Sequence, residues 1–232
     1  LAAKNRAIAQ GAGAQGPVRM MAARRQTFGE EIANSLSHAM GLVGAIVGTP
    51  FLLIGAVRHG DPAFIVGASV FCTAMILLYS ASSVYHALPT GRAKRLFFIL
   101  DHSAIFLLIA GTYTPFTLGV LRDSAGWALF AVVWALALAG IALKAFGKAG
   151  HPVISTGLYL AMGWLVLLAI GPLMDAVPPA GMAWLLAGGM SYTLGIAFFV
   201  TDARIPYGHM VWHAFVVGGT ACHYFAVLWY AV

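Results

Sequence analysis

His209 and His213 stand four residues apart in Gly208-His209-Met210-Val211-Trp212-His213, at the start of an apolar run that ends at Val232. On a helix that spacing puts both imidazoles on one face, with side-chain roots roughly 6 Å apart, close enough to share one metal ion. Two histidines do not complete a site. Catalytic zinc takes three protein ligands and keeps a position for water, so a third ligand and a base have to come from elsewhere in the chain. The candidates are the other ionisable groups inside apolar runs: His38, His86, Asp101, His102 and His223. Each costs about 2.5 to 3.5 kcal/mol to insert at mid-membrane, so each is expected to face a bundle interior and to find a partner.

The elements that must position them are membrane helices. The chain is 61% hydrophobic and 9% charged, with a mean hydropathy of +0.87. A soluble domain is roughly 45 to 50% apolar and 25% charged, so this composition excludes one and implies an all-α, polytopic membrane protein. The net charge of +6 and pI near 9.6 do not point to nucleic acid, because the charges fall between apolar runs, where they set topology. Cys72 and Cys222 both sit inside apolar runs and read as small buried residues rather than a disulfide. Cys222 lies roughly 13 Å along the helix from His213 and cannot share its metal.

Thr27-Phe28-Gly29-Glu30 is a capping box, with Thr at the N-cap and Glu three residues on, just before the first apolar run. Seven runs of membrane-spanning length follow: Ile32 to Val57, Ala63 to His86, Leu96 to Val120, Ala125 to Ala145, Val153 to Gly171, Gly181 to Thr201 and Gly208 to Tyr230. The connectors, Pro172 to Ala180 among them, are short, so consecutive helices are antiparallel neighbours and residues 27–232 form one transmembrane domain. Residues 1–26, with Lys4, Arg6, Arg19, Arg24 and Arg25 among Ala, Gly and Gln, read as a disordered basic tail; a targeting peptide is the weaker reading. On alternate sides the Lys and Arg divide eleven to two, with Arg58 and Arg122 the two. The positive-inside rule then puts the N-terminus in the cytoplasm and the C-terminus outside.

That orientation sorts the ionisable residues. His86 ends the second run, Asp101 lies near the start of the third, and His209 and His213 begin the seventh, so all four fall in the inner half of the membrane. Ser82 precedes His86 by one helical turn, on the same face, where its hydroxyl can hold a water or the imidazole. Three neutral imidazoles suit zinc, and Asp101 is the carboxylate placed to take a proton from an activated water. The residues by themselves leave a metal-free polar network open. His38, His102 and His223 read as interhelical hydrogen-bonding residues, His59 and His151 as interfacial ones in connectors, and Met75, Phe106 and Trp164 as packing.

Ser82-Ser83-Val84-Tyr85-His86, then Leu100-Asp101-His102-Ser103-Ala104-Ile105 running on to Ala110-Gly111-Thr112-Tyr113-Thr114-Pro115, then His209 to His213, resemble the three signature stretches of the hemolysin III and progestin/adipoQ receptor family. Glu30-Glu31-Ile32-Ala33-Asn34-Ser35-Leu36-Ser37-His38 is similar to the opening of its bacterial hemolysin III branch. The resemblance covers essentially everything after Gln26. It implies seven helices with a cytoplasmic N-terminus in a bacterial inner membrane, and zinc near the cytoplasmic face held by His86, His209 and His213. It further implies that Ser82 and Asp101 position the reacting water. Receptors of the adiponectin type are linked to hydrolysis of the ceramide amide bond. Two departures are expected from the resemblance: Gly208 stands where the receptors carry Ser, and the receptors have a longer ordered N-terminal region.

Three functions follow as expectations. The first is a zinc-dependent hydrolase of a lipid amide or ester, with Asp101 and Ser82 as catalytic residues and a membrane lipid as substrate. The second is a receptor or sensor of membrane state in which zinc clamps the second helix to the seventh. The third is a cytolytic or pore-forming protein, against which stands the lack of a charged ring or alternating β-barrel pattern.

Overall fold

The structure is a computed structural model that describes Arg24, residues 26–146 and residues 152–231. Apart from Arg24 and Gln26, the basic tail expected over residues 1–26 lies outside the described residues, as does His151. The described residues form eight α-helices and no strand: α1 Phe28–His59, α2 Pro62–Ala87, α3 Arg92–Leu118, α4 Trp127–Ala145, α5 Pro152–Gly163, α6 Ile170–Ala176, α7 Pro179–Thr201 and α8 Gly208–Tyr230. They make seven spans long and apolar enough to cross a membrane, the fifth, Ile154–Ala176, being a broken one. An odd number of spans puts the two ends of the domain on opposite sides of the bilayer.

Both halves of the capping box form at the start of α1. Thr27 Oγ1 accepts from the Glu30 N–H at 3.3 Å, and Glu30 Oε2 accepts from the Thr27 N–H at 2.8 Å. α1 runs on through His59, which closes the helix rather than sitting in a connector, and stops at Gly60 in the left-handed region, φ 84°. One residue later Asp61 caps α2, accepting from the Ala63 N–H at 2.9 Å. The same carboxylate pairs with Arg122 at 2.8 Å, tying this turn to the one after α3. The hydrogen bond from the Arg122 guanidinium holds Asp61 below the usual carboxylate range.

α2 and α3 pack backbone to backbone. A Cβ on Gly67 would come within 2.8 Å of the Pro115 backbone, and one on Gly111 within 2.8 Å of the Ala74 side chain. Such close approach gives helices in lipid their dispersion contacts, where no hydrophobic drive acts between them. α1 lies against both α2 and α8, α3 against α4, and α7 against α8, whereas α5 touches α7 only lightly. Phe71, Met75, Leu78, Tyr79 and Phe106 fill the middle. Leu168, Leu186, Leu194 and Val200 face outward, apolar surface that suits lipid and not water.

The fifth span departs from the unbroken helix expected over Val153 to Gly171. At Trp164 the chain tightens into a 3-10 turn, Leu165–Ala169, before α6 resumes. Pro172 explains the change, because it cannot donate to the carbonyl of Leu168 and its ring crowds that turn. Tyr113 of α3 takes up the backbone groups that the break releases. Its hydroxyl donates toward the carbonyls of Met162 and Gly163, at 3.0 and 2.8 Å, and accepts from the Val166 N–H at 2.9 Å. The helix then continues to Ala176, so Pro172 to Ala176 are helical, and only Val177 and Pro178 connect α6 to α7.

Candidate metal centre

The end of α2, the starts of α1, α3 and α8, and the turn after α7 meet at one end of the bundle. His86, from the last turn of α2, stands 5.1 Å in ring-centroid distance from both His209 and His213 on α8, which are 4.7 Å from each other. One ligand atom from each of the three lies within 4.8 Å of the others, close enough to hold a metal ion.

What faces the other nitrogen of each ring decides whether the set is built to ligate. His86 Nδ1 lies 2.8 Å from Glu31 Oε2, and the other Glu31 oxygen accepts from Lys94 Nζ at 2.7 Å. His209 Nδ1 lies 2.8 Å from Asp202 Oδ2. His213 Nδ1 lies 3.1 Å from the carbonyl of Asn34 and 3.0 Å from Ser37 Oγ. Carboxylate and carbonyl oxygens only accept, so all three rings donate from Nδ1 and keep their Nε2 lone pairs free. His86 Nε2 is buried with no hydrogen-bond partner. Left so, it forfeits about 1 to 3 kcal/mol, which a metal ion would recover. The residues present therefore fit a divalent cation that prefers imidazole.

Glu30 fixes the start of α8. Buried at 3% exposure, it pairs with Arg24 at 2.8 Å, accepts from Thr27, and reaches across to accept from the Tyr207 N–H at 2.8 Å. The Glu30 carboxylate raises the Arg24 guanidinium above its ordinary value. Tyr207, with φ 57°, is the only non-glycine residue in the left-handed region among the described residues. Holding it there costs on the order of 1 to 3 kcal/mol. The bond from Glu30 offsets this strain two residues before His209. Gly208 is packed so closely that an added Cβ would lie 3.2 Å from Asp202 Cα and from Ile205 Cβ.

Asp101 is buried on α3, with His102 Nδ1 3.4 Å from its carboxylate. Together with His38, His209 and His213 it bounds one end of a cavity of ≈ 230 Å³ that runs between apolar walls to Leu121 and Leu173. Ser82, fully buried, has no hydrogen-bond partner for its hydroxyl.

The remaining histidines do not make the interhelical hydrogen bonds expected of them. His102 donates to the Phe98 carbonyl of its own helix at 3.0 Å and His223 to that of Gly219 at 2.8 Å. His38 stacks flat on His213, centroids 3.5 Å apart and planes 10° apart, and neither of its ring nitrogens has a hydrogen-bond partner. Rings in a close-packed apolar bundle bond to the nearest free acceptor, here a carbonyl one turn back. Sequence reasoning missed Glu31, Asp202, Asn34 and Ser37. Glu31 was overshadowed by the capping role of Glu30, and Asp202 by its place in a connector; its spacing of seven before His209 was the one available signal.

Fold and site together define an integral, multi-pass membrane protein with seven spans and a three-histidine cluster fit for a metal ion. The family model described as Haemolysin-III related matches residues 26–224, and the chain belongs to that family. It is 42% identical over 206 residues to the Hemolysin-3 homolog of Bacillus subtilis (strain 168), covering 89% of this chain and 96% of the relative. To Hemolysin-3 of Bacillus cereus it is 43% identical over 203 residues, covering 88% and 92%. The likeness reaches animal proteins: it is 28% identical over 213 residues to the Monocyte to macrophage differentiation factor of Homo sapiens, covering 88% and 85%.

Proposed function

We propose that the protein is a zinc-dependent hydrolase of a lipid amide or ester, with His86, His209 and His213 as the metal ligands. The observation that supports this reading is the Nδ1 partnering of all three rings, which leaves every Nε2 available as a ligand. Zinc bound there supplies Lewis acidity toward a carbonyl and a nucleophile at neutral pH. Asp101 takes the proton of the attacking water and returns it to the leaving amine or alcohol. Ser82, whose buried hydroxyl is free, orients that water. The apolar cavity ending at Asp101 and His213 suits an acyl chain with its carbonyl at the polar end. By the charge bias, with Arg92, Lys94, Arg95, Lys144 and Arg204 at the end that carries the centre, that end faces the cytoplasm of a bacterial inner membrane.

Purified protein is expected to release fatty acid from a ceramide-like or ester substrate, and His209→Ala to lose this turnover while still folding. Equal turnover in wild type and His209→Ala sinks the reading.

The second reading is a receptor or membrane-state sensor with structural zinc. It is favoured by one observation: α1 packs on both α2 and α8, so a metal held by His86 and the α8 pair would bind the two helices that flank it. Chelation would then lower the melting temperature, with no lipid turned over at any incubation time. The cytolytic activity in the name of the Bacillus cereus relative would instead appear as dye release from liposomes.

A further inference from the structure

A second cavity, of ≈ 750 Å³, opens at the same end of the bundle, where the α2–α3 turn, the start of α3 and the end of α4 face α5. Lys94, Arg95 and Lys144 line it, and so do Thr90 and Gly91 at the N-terminus of α3, which no side chain caps. No carboxylate does. The whole chain has seven acidic residues. Of these, Glu30, Glu31, Asp61, Asp101 and Asp202 are engaged with Arg24, His86 and Lys94, Arg122, His102 and His209 respectively. Asp123 and Asp175 lie at the opposite end, in the turn after α3 and in α6. Lys94 is neutralised by Glu31, whereas Arg95 and the half-buried Lys144 have no ion pair among the described residues.

An independent sign comes from α5. Ser155 is 3% exposed and lines this cavity, and its Oγ has no hydrogen-bond partner. A buried hydroxyl without a partner, a guanidinium, an ammonium and the free N–H groups of a helix start are all donors, gathered where the protein offers no anion. We propose that this cavity binds the phosphate of an anionic phospholipid. A lipid suits it better than free phosphate because His102, Tyr159 and Phe199 are walls of both this cavity and the apolar one beside the metal centre. A headgroup seated on Arg95 and Lys144 thus leaves its acyl chains an apolar path. Reading the bound lipid as the hydrolase's substrate rests on the function proposed above; the binding does not.

The test uses purified full-length protein in neutral detergent, titrated with dioleoyl phosphatidic acid, dioleoylglycerol and inorganic phosphate, with bound lipid counted by native mass spectrometry. Phosphatidic acid is expected to bind at least about ten-fold more tightly than dioleoylglycerol, the scale of one or two charge-assisted hydrogen bonds. Arg95→Gln/Lys144→Gln should abolish that preference. Arg92→Gln, which removes a charge from the same end outside the cavity, should keep it. Ser155→Ala leaves the charges in place and should weaken phosphatidic acid about three-fold, so the proposal stays exposed even if the double variant misfolds. His86→Ala, whose ring lines neither cavity, should bind phosphatidic acid as wild type does, which separates this site from the hydrolase reading. Equal binding of the two lipids, an Arg92→Gln loss matching the double variant, or inorganic phosphate binding as tightly as the lipid would each overturn it.

Discussion

The two ends of the bundle both carry ion pairs, and they use them differently. At the end away from the three-histidine cluster, Asp61 and Arg122 join two turns at the surface, with side chains 20% and 38% exposed. At the other, Glu31 and Asp202 each face the Nδ1 of a histidine whose own side chain is 2% or 12% exposed. A surface pair in high dielectric does little more than tether two turns. A carboxylate behind a buried imidazole fixes tautomer and ring direction, so its worth appears in ligation rather than in folding. The contrast teaches that the acidic residues of this sparsely charged chain are allotted by site, not by the need to balance charge.

The comparison breaks first at the ligands. If the three-histidine cluster holds its metal as proposed, His213→Ala should lower bound metal from about one ion per chain to near none, measured by metal analysis of purified protein. Glu31→Gln, which still accepts one hydrogen bond but lacks the charge, should weaken metal binding by about 10- to 100-fold in a competition titration, and Asp202→Asn by a similar factor. If neither changes it, the two ends do not differ in kind. Between the ends, Tyr113→Phe removes the hydroxyl that serves the break in the fifth span and should cost about 1 to 3 kcal/mol in thermal unfolding, with metal content unchanged.

The smallest effect belongs to Asp61→Asn, which keeps the cap on α2 and loses the pair to Arg122. Because the folded carboxyl titrates below its unfolded value, its contribution is full above the ordinary carboxylate range and disappears as pH falls through the folded value. The difference in melting temperature between wild type and Asp61→Asn should therefore be small at neutral pH, begin to shrink as pH falls below about 4, and vanish only below the lowered folded value.

Much of the fold and part of the site are legible in the sequence. Apolar run length marked the seven spans, and the i, i+4 spacing of His209 and His213 put two imidazoles on one face. The break in the fifth span was not legible, because Pro172 only warns of a disturbance, and whether the helix ends or tightens depends on Tyr113 arriving from α3. The capping box is plain in Thr27-Phe28-Gly29-Glu30, yet nothing in that pattern signals the reach from Glu30 to Tyr207, 177 residues away.

The sequence alone determined the class of protein and which residues are chemically able to ligate, since hydropathy and helical periodicity are local properties of the chain. Only the tertiary structure decided that Glu31, Asp202 and the Asn34 carbonyl stand behind the three rings, that His38 stacks on His213, and that Ser155, Arg95 and Lys144 line one cavity. Those facts depend on how separate helices are rotated about their axes and how far each extends past its neighbour. Both are set by small-residue contacts such as Gly67 on Pro115, where a single methyl group would push two helices apart.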